Sequence, residues 1–420
     1  MIQRTLLDNG IRVLSEKVPG CHSVSLGIWV NNGSRHEVAK FNGISHFLEH
    51  MLFKGTERRT AQGIAREIDS VGGVLNGFTS REFSCYFVKI LSQKLPMAMD
   101  LLGDLLCHSR FDLDEMEKER RVIMQEIAMI EDSPEELIHD QFFRNMWLNH
   151  SLGLPVVGNN ETVSGIDRET LLDFMAQRYV GNNLAVVAAG DVDHEALLAL
   201  AQQSLGDIPA TGPTVDCIAP LVQRRVEVCE RDLEQTQICL GVEGLPQNHD
   251  ERYGVYLLNT ILGGNMSSRL FQKVREELGL AYSVYSYHNN HSDCGSFVVS
   301  AATSAENAPL LVRTVIEEMS RLRQSPVSDE ELRSAKDCLK GSMLLSMEST
   351  DNRMTRLAKN ELFIRNVGIT LEKSEALIDA VTKETVQSLA ERLFIDDTLN
   401  LLAMGRIKPN IFPDIDLQIS

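Results

Sequence analysis

The chain reads as two weak copies of one unit, and this repetition constrains the fold more than any other feature of its 420 residues. Each copy opens with a strand whose centre reads Ser25-Leu26-Gly27-Ile28 in the first and Cys239-Leu240-Gly241-Val242 in the second. A helix follows, then a second helix that ends near glycine (Ala65 to Gly73; Leu270 to Gly279), and then a strand. The next strand is Phe83 to Ile90 in one copy and Ser296 to Ala302 in the other, and a helix starts at Leu95 or Ala308. Between the copies, Ile208-Pro209-Ala210-Thr211-Gly212-Pro213-Thr214 is too rich in proline and glycine for regular structure. The expected division is therefore residues 1–207, a linker at 208–222, and residues 223–420. Strands that alternate with helices and return as hairpins predict the α+β class. The expected fold is two homologous α/β sandwich domains, each an antiparallel or mixed sheet with helices packed on one face.

Within the first copy, Ile11 to Ser15 and Ser23 to Val30 carry β-branched, period-two runs. From Gly43 to Phe53, the apolar residues Ile44, Phe47, Leu48, Met51 and Leu52 recur at helical spacing. Thr60 caps a further helix through Ser70, which Gly72-Gly73 ends, and a long charged helix runs from about Asp114 to Ile130.

The formal net charge of −18 argues against nucleic acid or an anionic membrane as the main partner, since a polyanion would be repelled. Cys21, Cys85, Cys107, Cys217, Cys229, Cys239, Cys294 and Cys338 are scattered with no Cys-x-x-Cys, as expected of free thiols in a reducing compartment. Met1 to Leu6 lack the apolar run of a signal peptide, and no stretch has the length and apolarity of a membrane span. The expected location is the cytoplasm.

The chemistry centres on His46-Phe47-Leu48-Glu49-His50. On a helix, residues four apart project from one face, so both imidazoles reach one ion, and imidazole suits zinc. Glu49 lies between them, close enough to touch metal-bound water without ligating the metal. Zinc lowers the pKa of such a water toward ~7, and a nearby carboxylate then takes its proton. A catalytic zinc needs a third protein ligand and an open position. The best candidate for that ligand is Glu126, in a helix where Glu119 stands two turns earlier on the same face and can support a ligand histidine. The second copy has no His-x-x-Glu-His.

His46 to His50, with Glu126 downstream and Glu119 before it, resembles the inverzincin signature. The stretch from Gly43 to Thr56 resembles the pitrilysin family of zinc metallopeptidases, in its mitochondrial-processing-peptidase-like branch. The likeness continues through Gly72 to Glu82 and returns at Ser268-Arg269-Leu270-Phe271 and from Arg275 to Ser283. It implies one Zn2+ per chain held by His46, His50 and Glu126, with Glu49 as the base and Glu119 in support. It also gives Asn76 a contact with the substrate backbone, and it places Arg275 and Tyr282 of the second half at the substrate. There a guanidinium and a phenol hydrogen-bond the substrate carbonyl and stabilise the oxyanion. The family's usual alanine is Gly77 here, which bears on the rigidity of that strand.

Each of these has a plainer reading. Asn76-Gly77 also fits a turn, Arg275 a surface helix charge and Tyr282 a core residue, and the pair would not sit together on a helix continuing past Gly279. His288 and His291 lack an acidic or cysteine partner at useful spacing and read as a polar loop. Gly263-Gly264 lacks the Gly-Lys-Ser/Thr of a phosphate loop and is set aside.

The expected activity is metal-assisted endoproteolysis of peptides or unfolded, presequence-like segments, paired in extended form along the sheet edge that follows Gly72-Gly73. The alternative is a catalytically inactive partner subunit of a processing-peptidase-like complex, which the intact His46, Glu49, His50 and Glu126 speak against. Larger relatives join four such domains into a chamber, so a homodimer is expected. Acidic runs such as Glu131-Asp132 and Glu135-Glu136 would favour cationic peptides as substrates if that charge lines an enclosed chamber; the alternative is that the acidity only keeps the protein soluble.

Overall fold

The computed structural model describes residues 2–364, 368–412 and 417–419. From the N-terminus come β1 (Ile2–Leu6), β2 (Arg12–Lys17), β3 (Ser23–Val30), α1 (Ile44–Leu52) and α2 (Ala61–Asp69). The hairpin β4 (Val74–Thr79) and β5 (Ser84–Leu91) leads into α3 (Leu95–His108), α4 (Leu113–Asp132) and α5 (Pro134–Met146). Then follow α6 (Asn160–Ser164), α7 (Arg168–Arg178), β6 (Leu184–Gly190) and α8 (His194–Leu205).

An irregular stretch leads to β7 (Arg225–Glu230), β8 (Thr236–Gly244), α9 (Arg252–Leu262) and a widened helical turn over Phe271–Glu277. The second hairpin, β9 (Ala281–Asn290) and β10 (Gly295–Thr303), precedes α10 (Ala308–Gln324), α11 (Asp329–Ser346) and α12 (Thr350–Lys359). The chain closes with α13 (Leu371–Ala380), α14 (Lys383–Leu393) and β11 (Asn400–Gly405).

The two copies share one five-strand order, to which the first adds β1 at an edge. Among the described residues the first has the order β1-β2-β6-β3-β5-β4 and the second β7-β11-β8-β10-β9. Both are mixed: β2 runs parallel to β6, β7 runs parallel to β11, and the other pairs are antiparallel. The matching Leu-Gly segments occupy equivalent central strands. Leu26 pairs with Val88 and Ala188, and Leu240 pairs with Val299 and Leu401.

The chain forms two compact units, and they do not follow the linear division at 208–222. Residues 130–153, expected in the first, belong to the second, and residues 346–368 belong to the first. The reason is packing on the face of each sheet that its own helices leave bare. In the first unit, Met354, Leu357 and Ala358 of α12, with Leu362 and Phe363, cover Leu14, Trp29, Cys85, Ala185, Val187 and Ala189. Polar ties fasten this segment down. Arg4 donates to both Glu361 carboxylate oxygens at 3.0 and 2.9 Å, and Lys89 donates to Asp351 at 2.8 Å. In the second unit, Ile138, Phe142, Phe143 and Met146 of α5 cover Cys239, Val298, Leu402 and Met404.

The main core of the first unit lies on the other sheet face. There Val24, Leu26, Ile28 and Val30 of β3 meet Ile44, Phe47, Leu48 and Met51 of α1, together with α3 and α8. The apolar stripe that makes α1 a helix thus seats its polar face, which carries the histidines, at a fixed height above the sheet. All eight cysteines are free thiols, and among the described residues no helix is long and apolar enough to cross a membrane.

Candidate metal centre

Helix α1 begins at Gly43, whose φ of +95° is open to glycine at little cost. A Cβ there would come within 2.8 Å of the Val157 carbonyl oxygen. The orphan N–H groups of this first turn are met from inside the protein. Glu37 accepts from Gly43 N–H at 2.8 Å, from Ser45 N–H at 2.9 Å and from the Asn42 amide at 3.0 Å.

His46 and His50 project from the same face of α1, with ring centroids 4.7 Å apart and planes at 70°. Glu126 on α4 faces both: its Oε2 lies 3.6 Å from His46 Nε2 and 3.7 Å from His50 Nε2. These separations are too long for hydrogen bonds. They are close to the roughly 3.4 Å that separates neighbouring tetrahedral ligands bonded to zinc at about 2.0–2.2 Å. Among the described residues, this is the only group of three His, Cys, Asp or Glu side chains whose donor atoms could converge on one ion. Two imidazoles and a carboxylate form a donor set that fits zinc.

The electrostatics agree with that role. Burial, with the neighbouring His50, pushes His46 down to about 4, so its ring is neutral at neutral pH and keeps a lone pair. His50 Nδ1 sits 3.1 Å from Glu119 Oε2, which assigns its proton to Nδ1 and leaves Nε2 facing Glu126. Burial raises the Glu119 carboxyl, but hydrogen bonds from His50 and Lys54 (2.8 Å) outweigh it, and Glu119 titrates below its ordinary value. Glu49 accepts from the Thr79 hydroxyl at 2.6 Å. Burial still holds the Glu49 carboxyl above its ordinary value, with the Thr79 bond opposing. Glu37, Lys54 and Thr79 have no local signature of their own. Their roles come from contacts across the fold, although Lys54 and Thr79 stand inside the stretches that carry the family resemblance.

Asn76 is exposed on β4, the edge strand of its sheet, and its Oδ1 accepts from Gly77 N–H at 2.8 Å. The plainer reading of Asn76-Gly77 as a turn does not hold, because Asn76 pairs with Phe87 and Gly77 with Tyr86 within the ladder. A cavity of about 560 Å³ opens beside this edge, lined by Phe53, Ile64, Ile68, Val74, Leu75 and Asn76 among others.

Arg275 and Tyr282 belong to the second unit, and the structure brings them together where a continuing helix would not. The helical turn ends, Gly279 takes a φ of +60°, and β9 starts at Ala281. The Arg275 guanidinium then stacks 4.4 Å from the Tyr282 ring centroid and 4.8 Å from that of Phe271. Tyr282 is 78% exposed, so it is not a core residue. His288 packs on Tyr256 and His291 on Trp147.

Comparison with known proteins gives the family. A family model described as "Insulinase (Peptidase family M16)" matches residues 12–160, which include His46, Glu49, His50 and Glu126. A second, described as "Peptidase M16 inactive domain", matches residues 165–339. The chain is 39% identical to the uncharacterized zinc protease YmxG of Bacillus subtilis, over 98% of this chain and 99% of that one. The chain belongs to peptidase family M16. Another similar protein is an uncharacterized zinc protease of Rickettsia felis, 35% identical over 94% of this chain and 96% of its own. Solved structures share the M16 fold at 20% identity. A protease from Helicobacter pylori has a TM-score of 0.90, covering 96% of this chain and 99% of that one. A peptidase M16 inactive domain from Pseudomonas fluorescens also scores 0.90, covering 96% and 98%.

Proposed function

We propose that this M16 chain is a zinc-dependent endopeptidase that hydrolyses peptides or unfolded, presequence-like segments. The observation that carries this reading is the convergence of His46, His50 and Glu126 on one point, with Glu49 on the same helix beside them. Those three residues would hold the ion, and zinc bound there supplies a Lewis acid that polarises a scissile carbonyl and acidifies water. Glu49 takes the proton of the attacking water and delivers it to the leaving amine. Its raised carboxyl suits both halves of that transfer. Glu119 orients His50 from behind.

The open edge of β4 offers backbone groups to an extended peptide, with Asn76 beside it and the neighbouring cavity ready for an apolar side chain. By family resemblance, Arg275 and Tyr282 bind substrate and stabilise the oxyanion, and their stacking presents a guanidinium and a phenol side by side. The proposed assembly is a homodimer with one zinc per chain.

A second reading, an inactive partner subunit, draws on the description of the match at 165–339. That match does not include His46, Glu49, His50 or Glu126, and the active reading is preferred for that reason. The deciding experiment offers the purified chain a mixed peptide library and measures its zinc. Cleavage that chelation abolishes and zinc restores, and that Glu49→Gln reduces ~100-fold or more while keeping the metal, supports the endopeptidase. A zinc-loaded chain that cleaves nothing supports the partner subunit.

A further inference from the structure

Glu49 leans toward β4, and the strand meets it at two points. A Cβ built on Gly77 would lie 3.3 Å from Glu49 Cγ and 3.1 Å from the Phe53 ring, so the strand backbone closes on the Glu49 stem there. Two residues on, and on the same face of the strand, Thr79 Oγ1 stands 2.6 Å from Glu49 Oε2. A threonine hydroxyl has one proton to give. The competing acceptor, the Ser45 carbonyl, is 3.5 Å away, so the proton goes to Glu49. A separation of 2.6 Å is that of a hydroxyl donating to a carboxylate.

The hydroxyl is itself fixed in place. Thr79 pairs with Ser84 across the ladder, and Ser84 Oγ lies 3.4 Å from Thr79 Oγ1 while donating to the Asn32 carbonyl at 3.1 Å. Oε2 of Glu49 is therefore committed to Thr79, whereas Oε1 accepts no hydrogen bond from any described residue.

We propose that Thr79 is a positioning residue for hydrolysis, holding Glu49 Oε2 so that Oε1 is the oxygen that receives the proton of water. This inference rests on the peptidase reading above and adds a residue to it. The terminal torsion of a glutamate is broad and roughly two-fold, so without an anchor the carboxylate samples orientations in which neither oxygen faces the reacting water. The anchor acts on the rate of proton transfer and not on the hold on metal or peptide.

Two substitutions separate the hydroxyl from the shape of the side chain. Thr79→Val keeps the branched form that strands favour and removes the donor, whereas Thr79→Ser keeps the donor. Both are measured beside wild type and Glu49→Gln for kcat, KM, zinc content and Tm. The expected result is a fall in kcat of about tenfold in Thr79→Val, the size of one oriented hydrogen bond, with KM, zinc and Tm unchanged. Thr79→Ser is expected to recover most of the rate. Wild-type kcat in Thr79→Val, a loss in Thr79→Ser as large as that in Thr79→Val, or a loss that follows zinc or Tm overturns the inference. Should Thr79→Val not fold, Thr79→Ala is read by the same criteria. A wild-type chain that cleaves no peptide removes the peptidase reading and this inference with it, whereas full turnover in Glu49→Gln leaves the peptidase but removes Glu49 as its base and this inference with it. Activity lost in Glu49→Gln but intact in Thr79→Val removes this inference alone.

Discussion

Replacing Glu37 with glutamine tests how the motif helix is held. Burial pushes the Glu37 carboxyl up to about 7 from an ordinary 4.5, against the opposing hydrogen bonds from Ser45, Gly43 and Asn42. The folded value is the higher one. The protonated form therefore contributes stability that is complete below pH 4.5 and lost as the pH rises through 7. At ~1.4 kcal/mol per pH unit, the part lost between pH 5 and pH 8 is about 2.5 kcal/mol. Glu37→Gln is neutral throughout and lacks this slope. For a cooperative unit of this size, such a difference moves Tm by roughly 5–10 °C. The assay is calorimetry of wild type and variant across that range, in chelator so that metal linkage does not contribute. The wild-type Tm should fall with pH relative to the variant. Curves that stay parallel refute the reasoning. A wild type that gains on the variant as pH rises would mean that the three hydrogen bonds keep Glu37 ionised and outweigh its burial.

Elemental analysis should find about one zinc per wild-type chain and much less in Glu126→Ala, since two histidines alone leave an open, wet site; full zinc in that variant would refute the ligand set. Glu119→Gln should weaken zinc affinity by ~10–100-fold, read by competition with a chelating dye, and an unchanged affinity would reduce Glu119 to a buried charge partner of Lys54. Arg275→Ala and Tyr282→Phe should lower kcat more than they raise KM, and unchanged steady-state kinetics in both would make the stacked pair structural. Sedimentation should give a dimer, and an active monomer at micromolar concentration would contradict the proposed assembly.

The parts of this architecture that were legible in the sequence are those set by neighbours along the chain. His46 and His50 are four apart on a helix whose apolar stripe is unambiguous, so their common face followed from spacing alone. The strand, paired helices and hairpin of each copy were equally local, and they recur in the same sheet order. Glu126 was found because a third ligand was required, but its approach to both histidines depends on how α4 packs against α1. Glu37 left no trace, because two of its three partners are main-chain N–H groups whose positions depend on the left-handed turn at Gly43. The stacking of Arg275 on Tyr282 was missed for a similar reason, since it depends on the reversal at Gly279. The sequence did not show which sheet α5 and α12 would cover. Amphipathicity states that a surface must be buried and is silent on the partner.

The packing of α12, with Leu362 and Phe363, on the first sheet governs how the protein must be made. As the nascent chain leaves the ribosome, the first unit can form one face of its sheet early. The other face, with Leu14, Trp29, Cys85 and Val187, stays wet until α12 has been translated. Throughout that interval the chain carries an apolar surface that attracts chaperones and other unfinished chains. A fragment ending at Cys217, just past the proline-rich junction, would stay in that state permanently and is expected to be insoluble when expressed alone. Co-expression with the remaining half would supply the missing cover, so the two fragments should yield soluble protein only when made together.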